Sequence, residues 1–382
     1  MEVLTTIDQV RARTGEARAS GHVVGLVPTM GALHEGHVSL IEAAIADGCD
    51  TLVTVFVNPL QFAEGEDLDA YPRPIEADLA AAGAAGAAWV FVPGDGEMYP
   101  DSPLTTVSVA ALGDRLEGAS RPTHFSGVAT VVTKLFAIAG RCRAYFGEKD
   151  FQQLAVVTRL VADLSLPVEV LGCPIVREPD GLARSSRNVY LTSEQRAAAP
   201  VLHRALLEAA DVVHAGERRA DVVRALIENR IRSEPLAAFD YADVVDPATM
   251  RPIETIAVPV RLLAAAQFGI PRLLDNVAAL PPPDLGDHTG TNSIFWCWAP
   301  AWPACRLRYE APRRGCRWAC SPKASWNRPP PAGPRAVWRR RCRGIPKNST
   351  CTWPTPWRPV AGCATPRPCG CWLTRDPGGC RN

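Results

Sequence analysis

Nothing in these 382 residues stays apolar long enough to cross a membrane, because no run of about eighteen uncharged apolar residues occurs. The first residues, MEVLTTIDQVRARTGEAR, bring acids early and lack a continuous apolar stretch, so they do not read as a secretory leader. Cysteine is scarce before His288, where only Cys49, Cys142 and Cys173 occur, a pattern suited to a reducing compartment. These absences set the expectation of a cytoplasmic protein with no membrane partner. No internal repeat is visible either.

The formal net charge of +1 describes neither part of the chain. Residues 288–382 hold 17 Lys/Arg against two acids, Glu310 and Asp376, a net +15; the remainder holds 24 basic and 38 acidic side chains, a net −14. Ten of the 13 cysteines and nine of the ten tryptophans also lie after His288. A zinc or disulfide module is one reading, but Cys316 with Cys320, and Cys369 with Cys371, complete no ligand quartet of zinc-finger spacing. A basic, Trp-containing arm for nucleic acid or a membrane surface is a second. The plainer reading is translation out of frame, since GC-rich coding DNA shifted by one base yields Trp, Cys, Pro and Arg. Residues 284–382 are therefore expected to be a non-native, disordered tail. Function is sought before the Pro-Pro-Pro at 281–283. The acidic body predicts no nucleic-acid partner.

That body alternates short apolar runs with helical patterns. Residues 22–28, 51–57, 87–93, 144–147 and 168–176 read as buried strands, while 37–48, 127–140 and 151–164 carry apolar residues at helical spacing. The alternation predicts an α/β fold, a Rossmann-like parallel sheet with helices on both faces. After Ser193, helices over about 194–215 and 219–232 followed by strands 239–245 and 259–268 predict a smaller α+β domain. The expected division is 1–178 for nucleotide binding and catalysis, 179–283 for a lid or substrate domain, and 284–382 for the tail.

Four polar clusters are expected at one edge of the sheet. In V-P-T-M-G-A-L-H-E-G-H, residues 27–37, a strand ends, a glycine turn follows and a helix begins near His34. Unpaired amides at that helix start would seat phosphates. His34 and His37 lie three apart and share one face, with Gly36 keeping the space between them clear and Gly31 allowing close approach to a nucleotide. A surface cap carrying two idle histidines is the alternative, and two histidines without a third ligand make an incomplete zinc site. In F-V-N-P-L-Q-F, residues 56–62, Asn58 and Gln61 offer uncharged donors and acceptors suited to a hydroxy acid. The acids at 64, 66, 67 and 69 read as a solvated loop. In Y-F-G-E-K-D-F-Q-Q-L, residues 145–154, Lys149 supplies fixed positive charge, Gln153 faces the same way, and Asp150 either caps the helix or meets a ribose. R-S-S-R-N, residues 184–188, places hydroxyls and arginines on an interdomain loop able to close over a triphosphate.

In order, spacing and wording these clusters resemble the pantothenate synthetase (pantoate–β-alanine ligase) family of the His-x-Gly-His nucleotidyltransferases. The resemblance runs from about Val3 to Leu280 and includes D-A-Y-P-R at 69–73, R-P-T-H-F-S-G-V at 121–128 and R-L-L-D-N at 272–276. It implies a homodimeric enzyme that uses ATP and Mg2+ to form pantoyl-adenylate, then lets β-alanine attack to give pantothenate, AMP and pyrophosphate. Carried over by position, ATP contacts fall on Met30, Gly31, His34 and His37, on Gly147, Glu148, Lys149 and Asp150, on Val176, and on Arg184, Ser185, Ser186 and Arg187. His37 matches the family's proton donor, and Gln61 and Gln153 match its pantoate contacts. From the residues themselves, His34, His37, Lys149 and Arg187 are expected to act in catalysis, and Asn58 to join the two glutamines in binding the acid. No metal ligand is assigned. One departure is Arg184, where the family has methionine. The rival reading is a nucleotidylyltransferase that stops at a nucleotide-linked product; a tRNA synthetase is disfavoured by the acidic body and the lack of an evident anticodon-binding module.

Overall fold

The computed structural model describes residues 1–63 and 68–282, together with the backbone of three strands between 293 and 321. In chain order the first part comprises β1 (Glu2–Leu4), α1 (Ile7–Ala19), β2 (Val23–Thr29), α2 (Glu35–Ala46), β3 (Cys49–Val55), α3 (Ile75–Ala84), β4 (Trp89–Phe91), α4 (Asp95–Met98), α5 (Glu117–Ser120), α6 (His124–Ala139), β5 (Cys142–Gly147), α7 (Phe151–Asp163) and β6 (Val168–Cys173). Its six strands pair in parallel in the order β1-β4-β3-β2-β5-β6.

Alternate residues of the central strands serve two cores. Leu26, Leu52 and Ala144 pack with α1, α6 and α7, whereas Val27, Val53 and Tyr145 pack with Leu40, Ile41 and Ala44 of α2. Close packing on that second side depends on Gly25, where an added Cβ would lie 2.8 Å from Cys49 Cβ and 3.1 Å from Ala44 Cβ. From β2 the chain winds outward through β3 to β4, then returns to place β5 on the other side of β2. The resulting switch point opens a crevice beyond the carboxyl ends of β2 and β5.

Residues after β6 continue through α8 (Ser193–Ala198), α9 (Val201–Ala215), α10 (Ala220–Arg232), β7 (Ala238–Val245), β8 (Val260–Gln267) and β9 (Arg272–Ala279). The three strands form an antiparallel sheet in that order, with α9 and α10 buried against it through Leu202, Leu206, Val223 and Ile227. The single helix expected over 194–215 is two, because Pro200 has no N–H to continue the first. β9 and the edge strand β1 were not anticipated. A small shared cluster, including Phe125, Val156, Val245 and Leu263, packs across the two cores, and residues 1–283 form one compact unit.

In the separate unit 284–382, strands β10 (Ser293–Ala299), β11 (Trp302–Glu310) and β12 (Arg317–Ser321) form an antiparallel sheet that composition did not suggest. The expectation for the rest of that segment, and for the loop acids at 64, 66 and 67, lies outside the described residues.

Candidate active site

Beyond the ends of β2 and β5 lies a cleft of about 800 Å3. It is lined by Met30, His34, His37, Asn58, Gln61, Gly147, Lys149, Asp150, Gln153, Val176, Arg184, Ser185, Ser186 and Arg187. Four segments distant in sequence thus meet at one surface. Gly31 and Glu148 do not line it.

The turn after β2 is held from beneath. Gly31 and Ala32 adopt positive φ, +86° and +50°, and a Cβ on Gly31 would come within 2.8 Å of Asp78 Oδ2. The turn and Asp78 are thus enough to require glycine at this position. Asp78, 2% exposed on α3, accepts from Ala32 N at 2.9 Å and Leu33 N at 2.7 Å. Gly31 N donates to Thr29 Oγ1, His34 N to His37 Nδ1 at 3.4 Å, Gly36 N to His34 Nδ1 at 3.1 Å and His37 N to the His34 carbonyl. The expected seat of unpaired amides is thus largely absent, because most amides of this turn are satisfied inside the protein. What faces the cleft is imidazole.

Those bonds also fix the ring chemistry. Each Nδ1 accepts from an amide, so each proton is assigned to Nε2, and both rings become neutral donors. Their centroids are 4.2 Å apart, and Gly36 leaves room for the His34 ring, since a Cβ there would lie 2.8 Å from His34 Cε1. Burial and the nearby Lys149 charge push the His34 pKa down to about 4; burial and His34 push His37 to about 3.

At the β5 end, Asp150 holds the N-cap position of α7 but makes no side-chain cap bond; it turns instead to Lys149 Nζ, 3.5 Å away. Burial disfavours its ionisation, yet Lys149, Arg187 and His124 outweigh that and hold its carboxyl below the usual range. Glu148 is directed away, its carboxylate 2.9 Å from Arg261 Nη2. In the 184–188 loop, Ser185 caps a short 3-10 turn by accepting from Arg187 N, and Asn188 Nδ2 donates to the Ala183 carbonyl. Arg184 lines the cleft, but its guanidinium is shared by Glu178 at 2.8 Å and Glu35 at 3.3 Å.

Asn58 is 1% exposed and fully engaged. Its Nδ2 donates to Gln61 Oε1 and the Gly127 carbonyl, while its Oδ1 accepts from Leu60 N and Tyr99 Oη. One of these bonds holds Gln61 in place. Gln61 Nε2 donates to the weak acceptor Met30 Sδ, and the Gln61 main-chain carbonyl receives Arg121 and His124 Nδ1. The polar residues that sequence reasoning did not name individually, Asp78, Tyr99, Arg121 and His124, act on these two turns from α3, from the residues that follow α4 and α5, and from the start of α6. A periodic pattern does not reveal them.

Gly127 of α6 is the tightest of these supports. A Cβ there would lie 2.2 Å from the Leu60 carbonyl oxygen and 2.5 Å from Gln61 Cα, both backbone atoms. Gly127→Ala should therefore displace the Gln61 turn, raising the Michaelis constant for an acid bound there by at least about tenfold while changing that for nucleotide by less than about threefold. Steady-state kinetics on the folded variant check this; equal changes in both constants would count against separate acid and nucleotide regions.

The family model for pantoate–β-alanine ligase matches residues 2–278. The chain belongs to that family. It is 48% identical over 283 residues to the pantothenate synthetase of Rhizorhabdus wittichii, covering 74% of this chain and all of that protein. The Moorella thermoacetica pantothenate synthetase is 50% identical over 277 residues, 72% of this chain and 98% of the relative. Among solved structures, Thermus thermophilus pantothenate synthetase superposes with a TM-score of 0.69 at 45% identity, over 74% of this chain and all of that one. The Francisella tularensis pantoate–β-alanine ligase, solved with β-γ ATP and β-alanine, gives 0.60 at 31%, over 72% and 97%. The ligase family accounts for the body of the chain, and its matched region ends at residue 278, before the basic segment.

Proposed function

We propose that this chain condenses pantoate with β-alanine to pantothenate, using ATP and releasing AMP and pyrophosphate. The observation that carries the proposal is the convergence of two neutral imidazoles, Lys149 and Arg187 on one cleft that also holds Gln61 and Gln153. In the first step a pantoate carboxylate oxygen attacks the α-phosphorus and the bond to pyrophosphate breaks. The Nε2–H groups of His34 and His37 stabilise charge on the phosphoryl oxygens, and Lys149 and Arg187 attract the departing pyrophosphate. No proton transfer is needed, which suits imidazoles that stay neutral. In the second step the β-alanine amine attacks the acyl carbon, AMP leaves, and the amine sheds its proton. Gln61 and Gln153 hold the pantoate hydroxyls and carboxylate; Met30, Val176 and the 184–187 segment enclose the nucleotide.

Among the described residues, three carboxylates line the cleft. Glu117 is bound by Arg272 and Tyr241, and Asp275 by Arg177, so Asp150 is the one nearest to serving a cation. Among the described residues no group of three or more His, Cys, Asp or Glu side chains is arranged as a metal site. Magnesium would therefore enter as a companion of the triphosphate, with Asp150 the residue that would help to hold it, and it would supply charge neutralisation of the phosphates. In this reading 1–178 binds the reactants and 179–283 serves as a lid. No helix among the described residues is long and apolar enough to cross a membrane. A cytoplasmic homodimer belongs to the same proposal, and light scattering would test the stoichiometry.

The deciding experiment supplies purified protein with ATP, magnesium, pantoate and β-alanine and measures AMP. AMP that accumulates only with all four components supports the ligase. Release of a stable nucleotide-linked product regardless of β-alanine would establish the nucleotidylyltransferase instead.

A further inference from the structure

The turn that presents Lys149 is gripped by the small sheet. Asn276 of β9 is 1% exposed, and its Nδ2 donates to the carbonyls of Glu148 at 2.9 Å and Lys149 at 2.8 Å. Its Oδ1 accepts from Arg261 Nε at 2.6 Å, so the whole amide is satisfied. Arg261 of β8 also pairs with Glu148 and lies 4.0 Å over the ring of Phe151, the first residue of α7. The preceding residue does the same for the other arm of the cleft. Asp275, 3% exposed, receives both terminal nitrogens of Arg177, at 2.6 and 2.9 Å, and Arg177 Nη1 also donates to the Gly181 carbonyl. Arg177 and Ala183 form a bridge at the base of the loop that carries Arg187.

We infer that Asp275 and Asn276 are positioning residues that set the spacing of the two cationic arms, Asn276 with Arg261 acting through Lys149 and Asp275 with Arg177 acting through the Arg187 loop. Neighbouring residues of one strand hold both arms, so the small sheet fixes the separation of Lys149 and Arg187. A cation displaced by about 1 Å stabilises departing pyrophosphate far less, and the expected loss is tens of fold in rate. The inference rests on the ligase reading for its kinetic readout but concerns side chains whose hydrogen bonds are made to the two arms themselves.

A crossed set of double-mutant cycles tests it on the full chain, with pantoyl-adenylate formation measured in single turnovers and ATP affinity by titration. Asn276→Ala should lower the rate about 30-fold in the otherwise unmodified chain and at most about threefold in a Lys149→Ala background. Asp275→Asn should behave likewise with Arg187→Ala, and each loss should persist in the other background. If Asn276→Ala fails to fold, Arg261→Gln carries the same expectation. Losses that multiply equally in both backgrounds would mark general destabilisation and overturn the inference, as would a folded Asn276→Ala with an unchanged rate. Should the unmodified chain make no pantothenate, the ligase reading falls separately, and the same cycles read in ATP affinity still decide the positioning claim.

Discussion

Replacing His37 with alanine is expected to lower pantoate-dependent ATP–pyrophosphate exchange by about 10²- to 10³-fold, the usual effect of removing one donor aimed at developing charge. His34→Ala should cause a loss of the same order. His34 also caps α2 through Nδ1, and losing a cap costs about 1 kcal/mol, which leaves the protein folded. The two changes together should cost less than the product of the single losses, because the rings are in contact and each fixes the other's geometry through His34 N and His37 Nδ1. Exchange at the normal rate in both single variants would remove the imidazoles from the chemistry.

The same rings make a pH signature. Their folded pKa values, about 4 and about 3, lie below the unfolded value near 6.5. Between those limits the unfolded chain binds more protons than the folded one, so these histidines favour the folded state less as pH falls from about 6.5 toward 3. Exchange activity should accordingly show no loss from His34 or His37 titration at pH 6 to 7, where a protonation-dependent acid would begin to switch. A rate that rises as pH drops through 6.5, and loses that rise in His37→Ala, would mean that the imidazolium is the working form.

How much of this was legible beforehand follows the range of the interactions. The strands at 23–29, 49–55 and 142–147 were readable because burial on both faces demands continuous apolar residues. The cleft was readable because a parallel sheet brings strand ends to one edge wherever they lie in sequence. α1 was missed although Thr6 and Gln9 form a capping box, since only Val10, Thr14 and Ala17 of that helix are buried and its apolar periodicity is weak. The internal partners of Asn58 are not legible in sequence, because Gly127 and Tyr99 lie 69 and 41 residues away. Arg184 reads as added positive charge in sequence, whereas the structure pairs it with Glu35 and Glu178. In each case residue type was informative and the partner was not.

Asp78→Ala should be the most damaging change outside the cleft lining. Its carboxylate compensates a turn that two residues enter with positive φ, one of them Ala32, for which that conformation costs about 1–2 kcal/mol. Removing it deletes two charge-assisted bonds and leaves the amides of Ala32 and Leu33 without acceptors, for a loss of about 3–5 kcal/mol. In a domain of this size that corresponds to a Tm about 10 °C lower. The turn would relax, and because His34 follows Leu33 directly, the imidazoles would lose their placement over the cleft. Exchange should fall about 100-fold even at temperatures where the variant is fully folded. Asp78→Asn keeps one oxygen but sets an amide nitrogen against the second N–H, so it should fall between the two. Thermal melts and exchange measured on both variants separate the effects. An Asp78→Ala protein that melts and exchanges like the unmodified chain would show that the turn keeps its shape without the carboxylate, and that the placement of the histidines has another cause.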